Sequence, residues 1–225
     1  MKIAAYIPIK LNNVRTPGKN IKQFDDGKPL CTFMFNTVAN VKGVDEKYCY
    51  CSNDEIRKYL PQQISLLKRP ESLDTPETQC HEIIKSFIDT IDADIIVLCH
   101  ATCPFIKVES VERCIEMVKS GRYDSAFTAS VIKDFLWLDG KPMNFNPEYA
   151  VKTQELPDVF KESIGCYVFT KDMFLKSNRK VGFNPYLCPI DPYEEIDIDY
   201  PEDFEIANAI YMRILKPEID LKGHR

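Results

Sequence analysis

The chain has 225 residues, 44% of them hydrophobic and 28% charged, with a formal net charge of -5. That balance is of one globular domain and excludes a disordered or fibrous chain. The acidic balance argues against nucleic acid as the main partner, and the longest apolar runs, residues 94–99 and 163–170, are too short to span a bilayer.

The expected elements alternate. Residues 2–8 form a short apolar run ending at Pro8, as a buried parallel strand does. A polar stretch over 10–20 leads to a helical pattern with apolar Leu30, Phe33, Met34, Val38 and Val41. Residues 47–51 read as a second strand, stopped by Ser52-Asn53-Asp54, which can cap a helix starting near Glu55. Strands are expected at 64–67, 94–99 and 124–130, with helices at 79–91 and 110–120 between them. This order implies an α/β fold whose mostly parallel sheet is covered by helices on both faces. The texture then changes: residues 135–138 and 141–145 flank Asp139-Gly140, a hairpin signal, and 146–162 is irregular. Residues 131–162 therefore read as an excursion within a single domain spanning 1–225. A strand at 164–170 and an amphipathic helix at 201–215, opened by Pro201 with Glu202 and Asp203, complete the pattern.

Nine cysteines, an odd number, sit mostly among apolar neighbours in these elements. They fit buried reduced thiols in a cytoplasmic protein with no leader segment and no structural zinc, since Cys49-x-Cys51 and Cys99-x-x-x-Cys103 lack further ligands at finger spacing. The eight glycines are about half the average usage, and no two fall at i, i+2. A dinucleotide fingerprint and a Walker A loop are thereby excluded, so any phosphate site must use side chains.

Three constellations could carry chemistry. The first is Lys10, Arg15 and Lys19 with Asn12, Asn13, Thr16 and Asn20, just past the first strand, where open α/β sheets bind ligands. It suits a polyphosphate cradle and equally a solvated lysine-rich loop. The second is Glu195-Ile-Asp197-Ile-Asp199: in an extended segment i and i+2 share a face, so two carboxylates stand together while Ile196 and Ile198 turn inward. Such a pair suits magnesium, or simply an acidic approach to the last helix. The third is His100-Ala-Thr102-Cys-Pro104 after the central strand, with Ser52 and Asp54 in the matching place after the second; His100 there can be structural or functional. Together they supply cations for a triphosphate, carboxylates for a divalent ion and strand-end loops for a base and an acceptor.

These residues resemble the acylneuraminate cytidylyltransferase family, the CMP-sialic acid synthetases, with the CMP-Kdo synthetases as near relatives. In order, Ile7-Pro-Ile-Lys-Leu-Asn-Asn-Val-Arg-Thr-Pro-Gly-Lys-Asn-Ile21 is similar to the family's opening I-P-A-R-G-G-S-K-x-x-P-x-K-N-I. Gly27-Lys-Pro-Leu30, Cys51-Ser-Asn-Asp54, Arg69-Pro70 and His100-Ala-Thr-Cys-Pro104 resemble G-K-P-L, V-S-T-D, R-P and Q-P-T-S-P. Gln154-Glu-Leu-Pro157, Ile164-Gly-Cys-Tyr-Val168 and Glu195-Ile-Asp-Ile-Asp199 with Pro201-Glu-Asp203 resemble R-Q-x-L-P, N-G-x-I-Y-I and S-I-D-I-D-T-P-E-D.

The resemblance implies a nucleotide-diphospho-sugar transferase-like fold, CTP as donor, magnesium (or manganese) as cofactor and release of pyrophosphate. It implies that Asp197 and Asp199 hold the metal and that Lys19, with Arg15, serves catalysis at the phosphates. The nucleotide would meet Pro8, Lys10, Asn12, Asn13, Lys19, Asn20, Ser52, Asp54, Arg69, His100 and Thr102, and the acceptor would meet Lys152, Thr153, Gln154 and Ser163. The excursion over 131–162 would make a homodimer contact and reach toward the partner's site. Departures fall at Lys10 for arginine, Leu11-Asn12 for the glycine pair, Val14 for lysine, His100 for glutamine, Thr153 for arginine and Ser163 for asparagine. The expected reaction is CMP transfer to an acidic sugar such as a nonulosonate, or to an octulosonate or a phosphorylated or phosphonate acid. The alternatives are a glycosyltransferase using Asp197-x-Asp199, and a nucleotide-binding dimer without turnover.

Overall fold

Apolar runs bounded by turn formers become the strands of one seven-stranded sheet in the computed structural model, which describes residues 1–12, 16–149 and 151–223. The strands are β1 (Ile3–Pro8), β2 (Glu46–Cys51), β3 (Ser65–Lys68), β4 (Ile95–Cys99), β5 (Ser125–Ile132), β8 (Val159–Thr170) and β9 (Pro185–Pro189). A separate hairpin pairs β6 (Trp137–Leu138) with β7 (Lys141–Pro142). The helices are α1 (Leu30–Asn40), α2 (Cys80–Thr90), α3 (Val108–Lys119), α4 (Lys171–Ser177), α5 (Pro201–Ile210) and α6 (Lys216–Gly223), the last two joined through a π-helical turn at Tyr211–Leu215.

The sheet order is β3-β2-β1-β4-β8-β5-β9. All neighbours are parallel except β8, which runs antiparallel to both β4 and β5. The expected mostly parallel sheet is thus observed, and the crossover through α3 leaves a one-strand slot that β8 fills. Strand order reverses at β1 and β4, so the loops leaving their carboxyl ends diverge and open a crevice.

Alternation along the strands divides the core. Ile3, Ala5 and Ile7 of β1 and Val97 and Cys99 of β4 pack with Met34, Val38, Val111 and Ile115 of α1 and α3. Ala4, Tyr6, Ile96 and Leu98 point the other way, onto Ile84 and Phe87 of α2 and Met173 and Phe174 of α4. A third cluster of Phe24, Leu30, Phe105, Ile198, Phe204 and Tyr211 ties the C-terminal helices to the opening loop. Eight of the nine cysteines are buried, in keeping with their apolar neighbours.

Some boundaries differ from expectation. The segment after β2 is a 3-10 helix over Asp54–Tyr59, too short for α because Pro61 follows, and Asn53 rather than Ser52 or Asp54 caps it by accepting from Glu55 N at 2.9 Å. β8 begins at Val159, inside the stretch read as irregular, because Val159–Glu162 pair with the end of β5. The excursion is therefore a two-stranded ribbon carrying the hairpin at its tip. Asp139 at φ 50 and Gly140 at φ 73 adopt the left-handed conformations a primed turn demands.

Candidate active site

The opening loop is shaped by a tight turn. Lys19 N donates to Thr16 O at 3.1 Å across Pro17 and Gly18, and Gly18 takes φ 69, so this is the Pro-Gly arrangement of a type II turn. The turn sends the Lys19 side chain inward, where its ammonium is buried to 9% exposure and donates to Ile198 O at 2.7 Å and Asp199 Oδ1 at 3.1 Å. Thr16 Oγ1 donates to Asp199 O at 3.0 Å, and Asn20 Nδ2 returns to Lys10 O at 2.8 Å. Head and tail of the chain, 180 residues apart, thus meet at one ion pair.

The acidic segment is held from both sides. Ile198 is fully buried in the third cluster, with Ile196 packed against it, and Ile198 N donates to Thr102 O at 2.9 Å. Asp203, in the first turn of α5, accepts from Asp199 N at 2.9 Å and Tyr200 N at 2.8 Å. Residues 196–199 form no sheet strand, yet the expected alternation of acids and isoleucines is present. Asp199 lines the cleft, whereas half-buried Asp197 does not. Burial raises the Asp197 carboxyl above its ordinary range and the Asp199 charge adds to this, while donation from Thr102 and from Cys103 Sγ at 3.6 Å opposes it.

Between these parts lies a cleft of about 550 Å³. Of the expected residues, Pro8, Lys10, Lys19, Asn20, Arg69, His100, Thr102 and Asp199 line it. Asn12, Ser52 and Asp54 line a neighbouring depression instead. There Asp54 is engaged by Lys68 Nζ at 2.7 Å and Arg57 Nε at 3.0 Å, and Ser52 donates to Asp74. Arg69 faces the cleft and Asp74 the depression, so their ion pair partitions the two. Lys152, Thr153 and Gln154 lie on the ribbon, and Ser163 is buried in β8; none lines the cleft. Asn13 and Arg15 lie outside the described residues. Thr75 and Thr78 line the cleft without having been read from the sequence, and the pairing of Asp74 with Arg69 was not read either.

His100 sits on the cleft floor. Its amide donates to Gly165 O at 3.1 Å, and Gly165 leaves room for Ile106, which a Cβ there would meet at 2.5 Å. Burial, reinforced by Lys180 and Lys19, lowers the imidazole to about 4, and its buried Nε2 has no hydrogen-bond partner among the described residues. At neutral pH it is therefore an uncharged hydrogen-bonding group.

Among the described residues no three His, Cys, Asp or Glu side chains form a metal cage. Two hard carboxylates whose charges oppose each other still fit a divalent cation that takes its remaining ligands from phosphate oxygens and water.

A mostly parallel sheet with a cation-and-acid cleft at its switch point defines a nucleotide-handling α/β enzyme fold. The cytidylyltransferase family profile matches residues 4–221, and the chain belongs to that family. It is similar to 3-deoxy-manno-octulosonate cytidylyltransferase 2 of Hydrogenovibrio crunogenus, 23% identical over 133 residues, an alignment covering 59% of this chain and only 53% of that relative. Solved structures share the fold. One is a CMP:2-keto-3-deoxy-manno-octonic acid synthetase complexed with CTP, with TM-score 0.67, 15% identity, and 95% and 99% of the two chains covered. Another is a 4-diphosphocytidyl-2C-methyl-D-erythritol synthase from Anaerococcus prevotii, with TM-score 0.68, 19% identity, and 94% and 96% covered. No helix among the described residues is long and apolar enough to cross a membrane.

Proposed function

We propose that this chain transfers CMP from CTP to an oxygen of a small acidic acceptor and releases pyrophosphate. The acceptor is a sialic-acid-like nonulosonate, an octulosonate, or a phosphorylated or phosphonate acid. The observation that carries this reading is the Lys19–Asp199 pair, which sets a buried ammonium and a carboxylate side by side on a cleft large enough for a nucleotide.

Lys19 has three N–H donors and uses two on Ile198 O and Asp199, which leaves one for a phosphate oxygen. Held by the type II turn and the third cluster, it needs no reorganisation as charge develops on the leaving pyrophosphate. Lys10 and the Arg69 guanidinium add positive potential along the same wall. Neutral His100 and Thr102 offer hydrogen-bonding groups in the same cleft without adding charge. Asp197 and Asp199 would hold Mg²⁺ or Mn²⁺, which when bound neutralises the triphosphate and polarises the reacting phosphoryl group.

The ribbon supports a homodimer. Phe135, Trp137, Leu138, Met143 and Phe160 are exposed on it, an apolar surface that a lone chain leaves in water.

The test is pyrophosphate release with CTP, magnesium and a panel of nonulosonic, octulosonic, phosphorylated and phosphonate acids. At least one acid is expected to turn over, and Asp199→Ala is expected to lose nearly all of that turnover. An Asp199→Ala variant that keeps most of it removes the assignment.

A further inference from the structure

A second depression, of about 430 Å³, flanks the cleft. The two are built from the same elements. At the start of α2, Thr78 and Ile83 face the cleft while Gln79, Cys80 and Ile84 face the depression. From β8, Ile164 faces the cleft and Glu162 the depression. Buried Tyr167 joins them: its ring lies 6.2 Å from the His100 ring and directly under Lys180, whose Nζ is 3.7 Å from the ring centroid.

Lys180 is an unusual cation. Its side chain is only 27% exposed. The nearest carboxylate oxygen, Glu162 Oε1, is 3.8 Å away, beyond hydrogen-bond reach, and already accepts from Tyr167 Oη at 2.5 Å. No acceptor among the described residues takes a hydrogen bond from Lys180, so an ammonium held over the Tyr167 ring keeps N–H donors for an anion. Lys180 is not needed to fix its own loop. Asp124 accepts from Phe183 N at 2.7 Å and Asn184 N at 3.1 Å, and Ser125 Oγ accepts from Gly182 N at 2.8 Å. The field of Lys180 also reaches the cleft, where it helps oppose protonation of His100.

We infer that Lys180, seated on Tyr167, is the specificity-determining residue that holds the anionic group of the acceptor in this side depression while the attacking oxygen lies in the cleft. The inference rests on the cytidylyl-transfer reading and deepens it: the acceptor class is a small acid, and the cation that reads the acid is Lys180 rather than Lys152, which is exposed and away from the cleft.

The experiment uses the full chain saturated with magnesium and the α,β-methylene analogue of CTP, titrated by calorimetry with methylphosphonate and separately with propionate. The wild type is expected to bind at least one of these saturably. Lys180→Met should weaken that binding by about tenfold or more, the size of a lost charge-assisted hydrogen bond. Lys180→Arg should retain it, and Glu162→Gln, which removes the competing carboxylate, should strengthen it. Lys152→Met should leave it unchanged. Affinity for the CTP analogue, measured in the same series, should stay constant and reports that each variant is folded. The inference is overturned if the wild type binds neither probe, if Lys180→Met binds as the wild type does, if Lys180→Met and Glu162→Gln both weaken binding, or if the loss follows Lys152→Met. A change in analogue affinity with Lys180→Met overturns it as well. Failure of every acid to release pyrophosphate, with these binding results intact, would sink the transfer reading and leave the anion subsite standing.

Discussion

The braced end of the cleft and the ribbon from β5 to β8 are made differently. Where the opening loop meets the acidic segment, Thr16 and Lys19 bond to Asp199 and Ile198 across nearly the full length of the chain, Ile198 packs in the third cluster, and Asp203 clamps Asp199 N from four residues away. The ribbon carries aromatic side chains in water, and its Lys152–Gln154 turn lies outside the cleft lining. Rigid bracing suits the half that must meet the same triphosphate on every turnover. A looser, exposed region can change without disturbing that bracing.

That contrast breaks most visibly at Lys19. Lys19→Met removes the phosphate-facing donor and the ion pair with Asp199, so turnover in a pyrophosphate-release assay should drop about 100- to 1000-fold. Ile198→Ala attacks the same wall through packing. It empties a fully buried site in the third cluster and should cost about 2–5 kcal/mol in denaturant unfolding.

On the cleft floor, His100 is neutral when folded because burial lowers it to about 4, whereas the unfolded chain binds its proton near 6.5. The unfolded state therefore takes up more protons as pH falls from about 6.5 toward 4, and stability that is complete above that window is lost through it, by about 3 kcal/mol at most. His100→Gln should flatten the slope in urea titrations run across that range. The smallest effect on the cleft is expected from the other region. Trp137→Glu should shift sedimentation from dimer to monomer while leaving CTP affinity unchanged; loss of CTP binding in that variant would show that the two regions are not separable.

Much of this was legible in the chain because it is local or periodic. The apolar runs at 2–8 and 94–99, the helix over 79–91 and the Asp139-Gly140 turn each depend on neighbours in sequence. The acid–isoleucine alternation over 196–199 was legible for the same reason, whereas the Pro17-Gly18 turn that aims Lys19 was not read. What sequence could not give is pairing between distant parts. Ser52 and Asp54 stand at a strand end as ligand-binding residues do, yet Asp74 and Lys68 engage them, and no spacing rule links those positions. α4 and β9 went unread, the one being only seven residues long and the other bounded by prolines at both ends. Residues 159–163 alternate poorly and become strand because β5 offers them an edge. Lys180 belongs to no motif; only the Tyr167 ring beneath it marks it out.

The slot occupied by β8 has a consequence for biosynthesis. Until residues 159–170 leave the ribosome, β4 presents an unpaired edge and β5 has no strand on either side, because its other neighbour, β9, follows later still. A nascent or truncated chain ending before residue 159 therefore displays open strand borders on both β4 and β5 and is prone to self-association. Emergence of β8 joins β5 to the rest of the sheet, and β9 then covers its far edge.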